Sequence, residues 1–258
     1  MTNRIIAILS IVVSGVILNS CTSHLFLQED KTQGAVIKID TINVPETDSV
    51  SIKIIVPYKE QLDAQMNEVI AYSDVAMKKS LPEGLLNNFT ADVVLKMGNS
   101  YLKKLNKDTA SICLLNTGGL RCDIPKGSIT VRNIFELMPF ENEMVAVTIN
   151  GKNAKKMFNF IAKKGGMPLS GAFMSIESDT AKLITLNNAA FDITKDYTVI
   201  TSDYLALGGD DMTFFGSPVS YVPMTVKIRD VLIEYLKAET AKDNTVSSKL
   251  DKRIYYEK

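Results

Sequence analysis

Runs and alternations of apolar residues mark most of the elements in this 258-residue chain. Val36-Ile37-Lys38-Ile39-Asp40 and Ser49 to Val56 alternate or run apolar, which predicts two strands, the second stopped by Pro57. From Lys59 the spacing changes, and Leu62, Met66, Val69 and Ile70 share one face of a predicted helix. Lys78 to Gly84 reads as a loop. A second helix over Leu85 to Leu102 buries Leu86, Phe89, Val93, Val94 and Met97. Asn88 and Asp92 lie four residues apart on it, so they share a face and are expected to brace the loop that follows the next strand.

That strand is Ser111-Ile112-Cys113-Leu114-Leu115, and Asn116-Thr117-Gly118-Gly119-Leu120-Arg121 breaks it. Adjacent glycines let a backbone turn sharply and let a ligand come close, and an Arg beside them offers a fixed fork of donors to a phosphate or carboxylate. Alone, these residues fit a hairpin turn with a solvated Arg at least as well. Gly127 to Arg132 forms a turn and short strand that leads into a helical stretch, Val131 to Leu137, which Met138 to Asn142 interrupts. Met144 to Ile149 is a strand, Asn150-Gly151 a tight-turn signal, and Lys155 to Lys163 a helix with Met157, Phe158 and Ile161 inward. Gly165-Gly166-Met167-Pro168 ends that helix. Strands follow at Ala172 to Ile176, Lys182 to Leu186 and Tyr197 to Thr201, then a second glycine-rich loop, Asp203 to Asp210. The last long helix is expected over Thr225 to Leu236, with Val226, Ile228, Val231, Leu232 and Tyr235 inside, and a terminal strand over Arg253 to Tyr256. No internal repeat and no interior shift of composition divides the chain. The fold class is therefore α+β, a single domain of mixed β-sheet with flanking helices over residues 36–258.

Composition changes this picture at the N-terminus and in the choice of partners. Basic and acidic side chains balance at 29 each, and a chain without a basic excess is not built to neutralise a nucleic-acid backbone. Thr2-Asn3-Arg4 and the apolar run Ile5 to Leu18 have the form of a secretory signal, too short for a comfortable membrane span. The run ends in Leu18-Asn19-Ser20-Cys21, which resembles a bacterial lipobox. Residues 1–20 are thus expected to be a lipoprotein signal peptide, Cys21 the lipidated residue, and residues 21–35 a polar tether. The expected location is the bacterial cell envelope, lipid-anchored and extracytoplasmic. Two cysteines remain after export, Cys113 and Cys122. That compartment permits a disulfide, but a Cys113 inside a buried strand favours two free thiols.

Candidate chemistry is sparse. The chain has one histidine, His24, in the tether. A Ser-His-Asp triad lacks its base, Cys113 and Cys122 lack a His partner, and Gly118-Gly119 lacks the Gly-Lys-Ser/Thr ending of a phosphate-binding P-loop. No catalytic residue and no metal ligand is assigned on this chain.

Three stretches together carry a family signature: LLNTGGLR, GSITVRNIFELMPFENEMVAVTINGK and SDYLALGGDD. In this order and spacing they resemble the C-terminal domain of the bacterial and animal 5′-nucleotidases, a family that includes UDP-sugar hydrolases and 2′,3′-cyclic phosphodiesterases. The resemblance runs from about Val56 to Ile254. It implies a domain that holds the nucleoside end of a substrate, with a base between two aromatic rings at Phe140 and Tyr204; relatives often carry Phe at the second position. It further implies that Asp210 accepts hydrogen bonds from ribose hydroxyls, that Asn142 touches the base edge, and that Asn116 and Arg121 form a polar pair beside Gly118 and Gly119, with Arg121 reaching toward phosphate. Two departures stand out. Lys78 to Gly84 contains no Arg where relatives carry one or two more, and Glu141 stands where the family has Gly.

In that family, hydrolysis depends on a separate metallophosphatase domain with two metals held by several His and Asp. One histidine cannot supply such a site. The resemblance therefore implies the nucleotide-recognition half of a split phosphoesterase, with the metallophosphatase and its divalent metals on a separately encoded partner and no cofactor on this chain. The alternatives are a non-catalytic nucleoside- or nucleotide-binding lipoprotein, or a structural partner that has lost its ligand.

Overall fold

In the computed structural model, which describes residues 34–36, 38 and 48–257, a five-stranded sheet carries the site. Its order is β10 (Ser220–Lys227), β4 (Glu143–Asn150), β9 (Asp196–Ser202), β2 (Ile112–Leu114) and β5 (Leu169–Ser170). β4 runs antiparallel to β9, and β9 runs parallel to β2. The expected signal peptide, Cys21 and tether, and most of the Val36–Asp40 strand, lie outside the described residues.

Both faces of the inner strands β4, β9 and β2 are covered, which explains why they read as apolar runs. Successive side chains on a strand point to opposite faces. On β4, Met144 and Ala146 enter one core while Val145, Val147 and Ile149 enter the other. On β2 and the residue after it, Cys113 and Leu115 part in the same way from Ile112 and Leu114. The first core is closed by the long helix Leu85–Lys104 and the helix Ile228–Thr240. The second is closed by the helix Gly151–Lys163 and a four-stranded sheet of β11 (Ile254–Tyr256), β6 (Ala172–Glu177), β7 (Thr180–Leu186) and β8 (Ala189–Ala190). Cys113 and Cys122 are free, Cys113 buried and Cys122 exposed; burial pushes the Cys113 thiol well above its usual range. A short pair, β1 (Val69–Ser73) with β3 (Gly127–Thr130), completes the sheets, and β3 runs into the helix Val131–Leu137. The mixed sheets with flanking helices are the fold class expected from the sequence.

Five expectations are corrected. Ser49–Met66 is one helix with Pro57 inside it, not a strand that ends at Pro57. No residue of that helix is buried, and a helix satisfies its own backbone where no strand offers a ladder. Val69 and Ile70 belong to β1 instead of prolonging the helix. Asn150 does not open a hairpin turn: its side chain accepts the Asn153 N–H at 2.9 Å and caps the helix that begins at Gly151. The last long helix starts at Ile228, so Val226 lies in β10, a strand that the sequence pattern missed. Asn88 and Asp92 do share a face, yet neither braces the Gly-Gly loop. Asn88 donates to Glu83 and to the Lys249 carbonyl, and Asp92 receives Arg253 and Ser170.

Candidate functional site

Strand directions decide where the three marked loops meet. Asn116 to Arg121 leaves the C-terminal end of β2, and Asp203 to Asp210 leaves the C-terminal end of β9, which is parallel to it. β4 is antiparallel, so Pro139 to Asn142, which precede it, emerge at the same end. The carboxyl end of parallel strands is a recurrent place for ligands.

The eight residues singled out in the sequence, Asn116, Gly118, Gly119, Arg121, Phe140, Asn142, Tyr204 and Asp210, line one cleft of about 320 Å³. Phe140 and Tyr204 are 40% and 45% exposed, so both rings keep a face for a ligand. The Arg121 guanidinium lies 5.1 Å from the Phe140 ring centroid, a cation–π contact that leaves its charge at the cleft wall.

Elsewhere on the cleft wall, a chain of hydrogen bonds fixes Tyr204, Asp210 and Asn116. Tyr204 Oη donates to Asp210 Oδ1 at 2.8 Å, and Asn116 Nδ2 donates to Asp210 Oδ2 at 2.6 Å. The bond to Asp210 is the main reason the Tyr204 hydroxyl is raised above its usual range, so it remains a donor. Gly209 makes this geometry possible. A Cβ there would meet Tyr204 Cζ at 2.5 Å, so only glycine lets the ring lie against the loop backbone. Each Asp210 oxygen keeps one lone-pair direction, and the pair can accept two hydroxyls from a ligand without breaking the bonds already made.

The expected departures acquire a geometry. Glu141 is not among the residues lining the cleft. Its carboxylate pairs with Lys227 and, at 2.6 Å, with Arg229 Nη2, and first Lys227 and then Arg229 hold its pKa down to about 2. Its charge is thus spent on the base of β10 and not on a bound anion. Arg229, 6% exposed, also lies 4.1 Å from the Phe135 ring centroid. In the loop without Arg, Lys79 Nζ donates to the Leu120 carbonyl at 2.7 Å and so props the Gly-Gly turn from behind.

The family model for the 5′-nucleotidase, C-terminal domain, matches residues 64–217, more than half of the chain. The chain belongs to this 5′-nucleotidase C-terminal domain family. Among relatives, the domain is 27% identical over 259 residues to the trifunctional nucleotide phosphoesterase protein YfkN of Bacillus subtilis, covering 88% of this chain and 16% of that one. It is 22% identical to the 5′-nucleotidase of Vibrio parahaemolyticus, covering 86% of this chain and 37% of the relative. Among solved structures, the 5′-nucleotidase precursor of Thermus thermophilus superposes with a TM-score of 0.66 at 23% identity, covering 81% of this chain and 43% of that one. NAD nucleotidase of Haemophilus influenzae superposes with a TM-score of 0.59 at 17% identity, over 81% and 41%. Those superpositions show the fold. The chain spans well under half the length of each of these proteins.

Sequence reasoning missed Asp203, Lys227, Arg229 and the use made of Lys79. Asp203 stood beside Tyr204 in the quoted SDYLALGGDD, but nothing local distinguishes it from a helix-start acid. The pairing of Glu141 with Lys227 and Arg229 spans more than eighty residues and leaves no local spacing to read.

Proposed function

We propose that the cleft binds the nucleoside end of a phosphate ester, and that this domain is the recognition half of a split 5′-nucleotidase-type phosphoesterase. The observation that carries the reading is the convergence of eight residues from three loops on one cleft with two half-exposed rings. In this reading the base stacks between Phe140 and Tyr204, worth on the order of 1–3 kcal/mol per base and indifferent to base identity. Asp210 takes the ribose hydroxyls, Asn142 the base edge, and Arg121 the phosphate. The hydrolytic step falls to a metallophosphatase on another chain, which supplies the divalent metals; this sequence has a single histidine to offer. Lipidation at Cys21 would hold the domain at an extracytoplasmic membrane surface, where such a partner and its substrates meet.

One observation favours a second reading, a nucleoside-binding lipoprotein without catalysis. The loop Lys78 to Gly84 contributes no Arg, and Lys79 is committed to the Leu120 carbonyl. Calorimetry with adenosine, AMP and a UDP-sugar separates the two. The split-enzyme reading expects AMP to bind at least as well as adenosine, and AMP hydrolysis only when this protein and a separately encoded metallophosphatase are mixed. Binding of adenosine without any gain from phosphate, and no hydrolysis in the mixture, favours the receptor. No heat with any of the three ligands removes both.

A further inference from the structure

We infer that Asp203 sets the width of the aromatic slot and is its positioning residue. The inference rests on the cleft being a nucleoside site. The two rings ride on segments just beyond a sheet ladder: β4 and β9 pair up to Met144 opposite Ser202, and Phe140 and Tyr204 lie outside that register. Asp203 Oδ1 continues the ladder by one rung. It accepts the Glu143 N–H at 3.1 Å and the Tyr204 N–H at 2.7 Å, so a single carboxylate oxygen ties the residue that bears one ring to a residue three positions from the other.

The remaining bonds of the Phe140 loop point elsewhere. Ile228 N–H donates to the Asn142 carbonyl at 3.0 Å, and Arg229 holds Glu141 and reaches the Pro139 carbonyl. These fix the loop to β10 and the helix after it, while Asp203 is the side chain that ties its β4 end directly to the Tyr204 backbone. The spacing of the two rings matters because a stacked base needs contact on both sides, about 7–8 Å from ring to ring as two van der Waals separations. A slot too wide by about 0.5–1 Å already forfeits a quarter to a half of the contact well on one face. Asp203 touches neither base nor ribose in this scheme; it acts through the backbone.

The test compares three replacements, Asp203→Asn, Asp203→Glu and Asp203→Ala, by adenosine affinity and thermal melting of the whole protein. Asn keeps an oxygen where the carboxylate oxygen stood, so D203N should bind within about threefold of the parent. Glu keeps the charge but moves it by one methylene, and Ala removes the acceptor; both should weaken binding by about tenfold or more with little change in melting. The opposite ranking, with D203E near the parent and D203N weakened, would mean that charge matters and reach does not, and the inference falls. Equal affinity in all three also overturns it. If D203A does not fold, the ranking of D203N against D203E still decides. If the parent binds no adenosine, the functional reading has failed, and the positioning claim is judged without ligand: the Glu143 amide must lose hydrogen-exchange protection in D203E, and unchanged protection sinks it.

Discussion

Two polar networks of this domain, Asp92–Arg253–Asp251 beneath the terminal strand and Tyr204–Asp210–Asn116 at the cleft, are each built on charge but differ in what surrounds them. Arg253 is 7% exposed, and all five of its N–H donors are used. It meets Asp92 with two bonds of 2.6 and 2.9 Å, Asp251 with two of 2.9 Å, and the Leu169 carbonyl at 3.0 Å. The cleft network holds its carboxylate with two bonds, both at exposed side chains, and leaves lone pairs toward open space. A saturated buried group has nothing left to offer a ligand and contributes its bonds to the fold. An unsaturated exposed one adds little to stability and keeps capacity for a partner.

The largest effect expected from this contrast is at Arg253. Arg253→Ala strips two carboxylates of their partner and should cost about 3 kcal/mol, the lower end for breaking a buried pair because Asp92 is itself 47% exposed. Urea unfolding measures it. Adenosine affinity of the folded fraction should stay within about threefold of the parent. A tenfold loss of affinity with stability intact would abolish the distinction between the networks.

Phe140→Ala tests the other side and comes next in size. Removing one stacking face should weaken nucleoside binding by about 1–3 kcal/mol, whatever the base. Melting should barely move, since the ring is 40% exposed and belongs to neither core. A smaller effect is expected of Tyr204→Phe, which keeps the ring and deletes the hydroxyl's two bonds with Asp210, the one it donates to Oδ1 and the one it accepts from the backbone N–H. Affinity should change by less than about threefold, and preference for riboside over 2′-deoxyriboside should rise as Asp210 Oδ1 gains a second free lone pair for a ribose hydroxyl. Calorimetry on the two sugars reads both numbers. If Tyr204→Phe loses as much as Phe140→Ala, the hydroxyl and not the ring contributes the binding.

These side chains also show where a sequence stops informing. The three inner strands of the central sheet, β4, β9 and β2, were legible because burial on both faces forces runs such as Met144 to Ile149. Ser49 to Val56 misled for a related reason: Val50, Ile52 and Ile54 alternate as a strand does, but the helix they form is exposed along its length, so no buried face enforces a helical period. β10 was lost because Pro223 and the left-handed Thr225 sit within it. In the cleft, Phe140, Tyr204 and Asp210 were singled out through a resemblance in motif order, which carries no distances. What holds them could not be found that way. Asp203, Lys227 and Arg229 act on residues 60, 86 and 88 positions away, and pairing at that range is written in the fold and not in any window of the chain.

Glu141 lies between the two kinds of network, and its pH dependence shows to which it belongs. Its carboxylate is 62% exposed, yet one partner, Arg229, is only 6% exposed. Lys227 first and Arg229 second lower its pKa from the usual 4.5 to about 2. A carboxyl depressed in the folded state stabilises the fold above its unfolded pKa, and that contribution disappears as pH falls through the folded value. The melting-temperature gap between the parent and Glu141→Gln should therefore be constant from neutral pH down to about 5, shrink below 4.5, and close near 2. By about pH 3 the larger part should be gone. The gap itself should be the smallest of the effects considered, because solvent screens the exposed side of the pair. A gap that is absent at neutral pH would place Glu141 with the cleft residues, as a group whose charge the fold does not use. A gap that survives undiminished to pH 3 would mean that the Glu141 side chain stabilises the loop through packing or neutral hydrogen bonds, and the ion pairs with Lys227 and Arg229 would no longer explain why a carboxylate is tolerated between Phe140 and Asn142.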